Sequence, residues 1–461
     1  MQTVQNLSLI SGPIPVLFGV LGVAAVLFLL FRRSWRWWLF ALAAAAVALL
    51  VGFGSSWLVI HVLYWWPEDL PTAVALYVAL MVWALLMGSA TAYASFRRRR
   101  PVSAPAESAP AEREGTSRQL RRAVSPMRGT FAVLAVAVVA AVVGVGINAD
   151  FGQYPTLGSL MKSETEISTA VLPKPHQGQE SRFMKSAVST RWTPPAELPV
   201  RGTVRLEPIP GTISGFKARK AVVYLPPAYS EAQRPVLPVL VMVSGQPGSP
   251  ESWLSSTGLV NQLDAYAASH GGLAPIVVIP DPNGSTQGNT MCMDSKLGQA
   301  DSYMSKDVPA WIKSHLEVDT NPAHWAVGGF SYGATCSLQM VTRHPQIYQT
   351  FMAISPEREP ALAVNRSLTV DRAFNGDTAA FDALLPLTLM AHNTYPQIHG
   401  WFAVGNADTT YSANVKVLEA AASKAGMSVK SASYPGGHSW AVADAALPQG
   451  LAFVFARVGL P

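Results

Sequence analysis

Residues 325–337 read Trp325-Ala-Val-Gly-Gly-Phe-Ser-Tyr-Gly-Ala-Thr-Cys-Ser337, and the reading of this stretch decides the fold. It holds the pentad Gly329-Phe330-Ser331-Tyr332-Gly333, a G-x-S-x-G pattern that follows a short apolar run and leads into helix-compatible residues. At such a strand–turn–helix corner the backbone turns so tightly that glycines must flank the serine, and the hydroxyl is pushed outward. Chance alone would produce the bare pattern about 0.2 times in a chain of this length and glycine content, so its context has to carry the argument. That context lies downstream. Asp408 follows an apolar run and His438 sits in Tyr434-Pro-Gly-Gly-His-Ser-Trp440, so Ser, Asp and His occur in that order.

Working outward from the pentad, apolar runs alternate with helical stretches from about residue 203. Ala221–Leu225, Val236–Val243, Ala274–Pro280, Trp325–Val327, Thr350–Ile354, Ile398–Val404 and Ser428–Tyr434 read as strands, and Ser302–His315 as a helix. Continuous apolar strands separated by helices predict an α/β domain whose mostly parallel sheet is covered on both faces. The long segment 356–397 between two strands is expected to be a lid or specificity region.

The N-terminal third is different. Of 461 residues, 49% are hydrophobic and only 13% charged, and the excess is concentrated in 13–31, 37–60, 72–95 and 130–147. Each stretch lacks Asp, Glu, Lys and Arg and is near the roughly 20 residues that cross a bilayer, so four transmembrane helices are expected. Arg32, Arg33 and Arg36 follow the first stretch, and Arg97–Arg100, Arg113, Arg118, Arg121, Arg122 and Arg128 lie between the third and fourth. Glu68 and Asp69 occupy the loop between the second and third. Arginine-rich loops stay cytoplasmic, which places the N-terminus and everything after residue 148 outside the cytoplasm. Residues 1–148 carry a net +7 of the chain's +6, so the remainder is near −1 and nothing argues for a nucleic-acid partner. The expected organisation is a membrane region over 1–148 with a disordered cytoplasmic loop at 97–128, a stalk over 149–200, and the α/β domain over 201–461.

A serine hydroxyl is a poor nucleophile until a base takes its proton and a third group orients that base. Ser331 is the expected nucleophile, His438 the base on a flexible Gly-Gly loop, and Asp408 the orienting acid. An Asp in that position also suits a helix cap, and Asp382 and Glu357 are weaker substitutes for the acid. Two backbone N–H groups must meet an oxyanion. Tyr332, after the nucleophile, and Gln246, in the loop Ser244-Gly-Gln-Pro-Gly248, are the candidates, because Pro247 has no N–H. The chain's two cysteines, Cys292 and Cys336, both fall in the part placed outside, where a disulfide is expected. No Cys/His spacing suggests a metal, and no P-loop, HExxH or internal repeat occurs. Gly144 and Gly146 end a membrane segment rather than a strand and do not make a dinucleotide loop. The reaction sketched by these residues needs no cofactor.

Three pieces carry a family resemblance: Val223-Tyr-Leu-Pro-Pro-Ala-Tyr229, the pentad Gly329–Gly333, and Gly436-Gly-His-Ser-Trp440. Together they resemble the branch of α/β-hydrolase esterases that includes esterase D and the antigen 85 mycolyltransferases, over about residues 203–458. The layout with an N-terminal membrane region is similar to membrane-anchored esterases of actinobacteria, among which hydrolases of aminoacylated lipids have been proposed. The resemblance implies the α/β-hydrolase fold, with the nucleophile at Ser331, the histidine at His438 and the acid at Asp408. Antigen 85 enzymes place a glutamate differently and lack the membrane part, so mycolyl specificity is not implied. The expected function is a membrane-anchored, extracytoplasmic serine esterase acting on envelope lipid or aminoacyl-lipid esters. The competing expectations are an acyltransferase serving a sugar or lipid alcohol, and a non-catalytic hydrolase-like scaffold. Transport is disfavoured because the four segments hold almost no ionisable groups.

Overall fold

The strand-like runs join edge to edge in one eight-stranded sheet. The computed structural model describes residues 2–32, 34–97, 115–161, 165–172 and 192–460. Its sheet strands are β1 (Thr203–Glu207), β2 (Ala221–Leu225), β3 (Val239–Val243), β4 (Ile276–Ile279), β5 (Trp325–Phe330), β6 (Thr350–Ile354), β7 (His399–Gly405) and β8 (Ser428–Tyr434). Their spatial order is β1-β2-β4-β3-β5-β6-β7-β8. Only β2 runs against its neighbours; the pairs from β4 through β8 are all parallel.

Burial explains the composition. Every residue of β2 through β6 is buried, which requires cover on both faces and accounts for runs such as Val239-Leu-Val-Met-Val243. Each such Val or Leu contributes about 1.5–3 kcal/mol relative to exposure. The edge strands β1 and β8 are mixed in burial and correspondingly polar. Helix Tyr332–Arg343 packs on β3, β5 and β6 and touches Pro386–His392, which touches Thr409–Lys424. The last helix, Trp440–Arg457, packs on β5 to β8, with Leu259–Ser269 beside it.

Several limits differ from the expected ones. Strand β3 starts at Val239 because Pro238 offers no donor to a ladder, and Leu237 makes only an isolated bridge to Val318. Strand β5 runs on through Gly328 and Gly329 to Phe330, since those glycines pair with β3 and β6 instead of turning. The helix expected over Ser302–His315 is interrupted by a π-turn at Tyr303–Asp307, with Val308 N–H donating to the Tyr303 carbonyl. Pro309 causes this: it has no N–H for the Ser305 carbonyl and its ring crowds that turn. The segment between β6 and β7 forms helices Arg366–Phe374, Thr378–Asp382 and Pro386–His392. Phe381, Val370 and Leu385 there share a small apolar cluster with Met291 and Met293.

The chain divides into two compact units, Met1–Tyr64 with Glu68–Ala149, and Trp65–Pro67 with Asp150–Pro461. Pro13–Leu30, Trp35–His61, Thr72–Ser95 and Met127–Phe151, the last ending two residues into the second unit, are four helical stretches long and apolar enough to cross a membrane. Ala41, Ala44, Ala48 and Gly52 are buried along Trp35–His61, and a Cβ on Gly52 would meet the Ala75 carbonyl at 2.4 Å. Small side chains thus bring two of these apolar helices into backbone contact. The fourth helix begins at Gly115, inside the stretch 97–128 expected to be disordered. Gln119 to Ala123 are strong helix formers, and the Pro/Ala/Ser-rich composition is confined to 101–114. Residues 98–114 of that loop, and 162–164 and 173–191 of the expected stalk, lie outside the described residues. The described residues of the expected stalk belong to the second unit from Asp150 onward. Gln153 Nε2 donates to Ser256 Oγ (2.7 Å), Ile167 bridges to Val204, and Trp192 Nε1 donates to the Gly271 carbonyl (2.7 Å).

Candidate active site

Strand β5 delivers Ser331 to a corner that its flanking glycines make sterically available. Ser331 has φ +57° and ψ −120°, a conformation that costs an ordinary L-residue on the order of 1–3 kcal/mol. A Cβ on Gly329 would lie 2.3 Å from the Gly333 carbonyl carbon, and one on Gly333 would lie 2.1 Å from the Val243 oxygen. The two glycines of the pentad are therefore required by each other and by β3. Ser331 N–H donates to the Ile354 carbonyl (2.9 Å) and its own carbonyl accepts from Thr335 N–H (3.0 Å), which ties the corner to β6 and to the following helix.

The corner aims the hydroxyl at a ring. Ser331 Oγ is 2.8 Å from His438 Nε2, and His438 Nδ1 is 3.1 Å from Asp408 Oδ2. With the ring proton on Nδ1, His438 donates to Asp408 and its Nε2 accepts from Ser331. Ser331 and Asp408 are each only 8% exposed, which holds the chain of hydrogen bonds away from bulk water. Asp408 also caps helix Thr409–Lys424, its Oδ1 accepting from Tyr411 N–H (3.0 Å). The two readings of Asp408 are thus not exclusive: one oxygen caps and the other orients. Asp382 instead pairs with Arg366, and Glu357 is held through its backbone N–H by Thr335 Oγ1 (2.9 Å).

Two aromatic residues that the sequence reading did not single out stack on the imidazole. Tyr411 stacks on His438 with ring centroids 3.9 Å apart, and Phe330 stacks on it at 5.0 Å. Phe330 is the first variable residue of the pentad and Tyr411 lies three residues beyond Asp408. Their spacing from the triad candidates was the available signal, but only the fold shows that both rings meet the histidine.

The loop Ser244–Gly248 lies against the corner, since a Cβ on Gly245 would be 3.6 Å from Ser331 Cβ. Its Gln246–Pro247 peptide is cis. Tyr332 opens the helix after the corner, with its side chain buried beneath it. Burial pushes the Tyr332 hydroxyl far above its ordinary range, so it stays protonated. Its oxygen accepts from Cys292 N–H (2.9 Å) and shares a hydrogen bond with Thr290 Oγ1 (3.0 Å).

Cys292 and Cys336 form a disulfide with Cα atoms 5.4 Å apart, pinning the Thr290–Met293 loop to the helix that follows Ser331. Gln339 Nε2 to the Met291 carbonyl (3.1 Å) and Arg343 Nη2 to the Cys292 carbonyl (2.9 Å) reinforce it. The bond closes a loop with a sequence separation of 44 residues. Cys292→Ser/Cys336→Ser is expected to lower stability by roughly 3–4 kcal/mol. Thermal melts of oxidised and doubly substituted protein check this, and coincident melting temperatures would refute it. Among the described residues no cluster of His, Cys, Asp and Glu could hold a metal ion.

Comparison with known proteins follows the same lines. The model of the family described as "Putative esterase" matches residues 217–454. An uncharacterized protein of Corynebacterium glutamicum is 36% identical over 341 residues, covering 72% of this chain and 76% of that protein. Among solved structures, an S-formylglutathione hydrolase from Agrobacterium tumefaciens is 16% identical with a TM-score of 0.48, covering 57% of this chain and 99% of its own. A ferulic acid esterase is 18% identical with a TM-score of 0.47, covering 56% and 99%. With a parallel sheet, a strained serine corner and a family model spanning most of the second unit, this chain belongs to the Putative esterase family, the α/β-hydrolase enzymes of carboxylic-ester chemistry.

Proposed function

We propose that this protein is a membrane-anchored, extracytoplasmic serine esterase in which Ser331, His438 and Asp408 form the catalytic triad. The observation that carries this reading is the hydrogen-bonded series Ser331–His438–Asp408 (2.8 and 3.1 Å) at a corner with φ +57°. Ser331 Oγ attacks the ester carbonyl carbon while its proton passes to His438 Nε2. Asp408 stabilises the resulting imidazolium, and the Gln246 and Tyr332 N–H groups receive the oxyanion. Collapse of the tetrahedral species breaks the ester C–O bond. The alcohol leaves with the proton from His438, and an acyl group remains on Ser331. Water, deprotonated by His438, then releases the acid. No cofactor enters any step.

Arginine-rich loops on one side of the four apolar helices support the outward placement of the domain. A domain tethered to a bilayer meets lipid esters at high effective concentration, which supports an envelope lipid or aminoacyl-lipid ester as substrate. The test uses the full chain in lipid nanodiscs. A fluorophosphonate probe should form an adduct at Ser331, and an aminoacyl ester of phosphatidylglycerol should yield free amino acid. Absence of a Ser331 adduct would identify a scaffold and sink the proposal. A new ester formed when trehalose is added would identify a transferase in its place.

A further inference from the structure

Three segments distant in sequence meet beside the serine corner through one guanidinium. Arg219, two residues before β2, donates from Nε to Asp281 Oδ2 (2.7 Å) and from Nη2 to Asp281 Oδ1 (3.0 Å), a two-pronged pair. Nη2 also donates to the Gly248 carbonyl (2.9 Å), and Nη1 to Thr286 Oγ1 (3.1 Å). Asp281 is 2% exposed and accepts further from the backbone N–H groups of Arg219 (3.0 Å) and Asn283 (3.1 Å). Its charge is thus fully engaged, and Arg219 is its only cationic partner in an ion pair among the described residues.

Gly248 closes the turn that carries Gln246. Its N–H donates to the Thr286 carbonyl (3.1 Å), and a Cβ on it would meet the Gly245 oxygen at 2.6 Å, so the turn is tight. At its other end Gly245 abuts Ser331. Against the turn lies a small, half-open recess lined by Arg219, Asp281 and Asn283 and by Pro250, Pro280 and Pro282. On that side the turn is tied by two hydrogen bonds, from the Arg219 guanidinium to the Gly248 carbonyl and from Gly248 N–H to the Thr286 carbonyl.

We propose that Arg219 is a positioning residue for ester cleavage: by gripping the Gly248 carbonyl and Asp281 together, it holds the Ser244–Gly248 turn so that the Gln246 N–H faces the oxyanion formed at Ser331. The proposal rests on the esterase reading above. An oxyanion donor contributes about 10²–10³ in kcat when aimed, and a shift of about 1 Å can forfeit about 10². The grip needs a planar fork, because a carboxylate and a carbonyl must be met at once, and a lysine ammonium cannot reproduce it.

The test compares wild type, Arg219→Ala and Arg219→Lys as full chains in nanodiscs, with a soluble p-nitrophenyl ester as substrate. Arg219→Ala is expected to lose about 100-fold in kcat with KM changed by less than about threefold, and to bind a trifluoromethyl ketone, a mimic of the oxyanion, correspondingly weakly. Added guanidinium should restore roughly tenfold of the lost rate, and Arg219→Lys should remain at least about tenfold impaired although folded. Far-UV circular dichroism reports the folded fraction of each variant. A folded Arg219→Ala with wild-type kcat, a change in KM alone, or a rate loss that only follows the folded fraction would each overturn the proposal. If Arg219→Ala fails to fold, Arg219→Lys decides by the same split between kcat and KM. Wild type without Ser331-dependent turnover would instead overturn the esterase reading, and this inference with it.

Discussion

Ser331→Ala is expected to lower kcat by about a million-fold, leaving only the modest rate that binding and the oxyanion site supply without a nucleophile. The expectation follows from the chemistry: with Oγ gone, no acyl-enzyme can form, and water must attack unassisted by a covalent step. The fold should survive. The lost hydrogen bond to His438 is worth about 1 kcal/mol, and alanine carries the same backbone strain at φ +57° as serine does. Steady-state kinetics with a p-nitrophenyl ester, beside a thermal melt, check both halves. Activity within tenfold of wild type would remove Ser331 from the mechanism. Loss of activity together with loss of the fold would say nothing of catalysis, and Ser331→Cys, which keeps a nucleophile, then supplies the comparison.

Asp408→Asn is expected to cost about 10⁴-fold in kcat while leaving the melting temperature close to wild type. The two oxygens of Asp408 do different jobs, capping at Tyr411 N–H (3.0 Å) and orienting His438 Nδ1 (3.1 Å). Asparagine caps a helix as well as aspartate does, so its oxygen keeps the first task. Its amide then donates to His438 Nδ1, which forces the ring proton onto Nε2. That nitrogen can no longer accept the Ser331 proton. Asp408→Ala should lose the same activity and, in addition, roughly 1 kcal/mol of stability from the missing cap. Kinetics and thermal melts of the pair separate the roles. Equal activity in wild type and Asp408→Asn would assign the acid elsewhere.

Where the sequence was legible, local chemistry set the outcome. Ala221–Leu225, Thr350–Ile354 and Ser428–Tyr434 are strands with the limits that their apolar or alternating runs suggested. Pro226 ends the first, and Pro435 and Gly436 end the last. The errors also have local causes. Gly328 and Gly329 look like a turn, yet they serve as strand residues because both pair with β3 and β6, and a Cβ on Gly329 would meet the Gly333 backbone at 2.3 Å. Pro309 marks a helix start within a longer helical pattern, and the π-turn before it is a compromise between the two.

By itself the amino-acid order determined that there is a serine corner, that an acid and a histidine follow it after strands, and that four apolar stretches precede them. These are properties of short windows, in which glycine geometry, strand burial and hydrophobic length leave few alternatives. Only the tertiary structure decided that Asp408 caps a helix and also meets His438, that Tyr411 and Phe330 both stack on the imidazole, and that Arg219 bonds a turn through Gly248. Apart from the cap, such contacts join residues 27 to 108 positions apart. They exist because the parallel crossovers bring the ends of β3, β4, β5, β7 and β8 to one rim, and no local window contains that convergence.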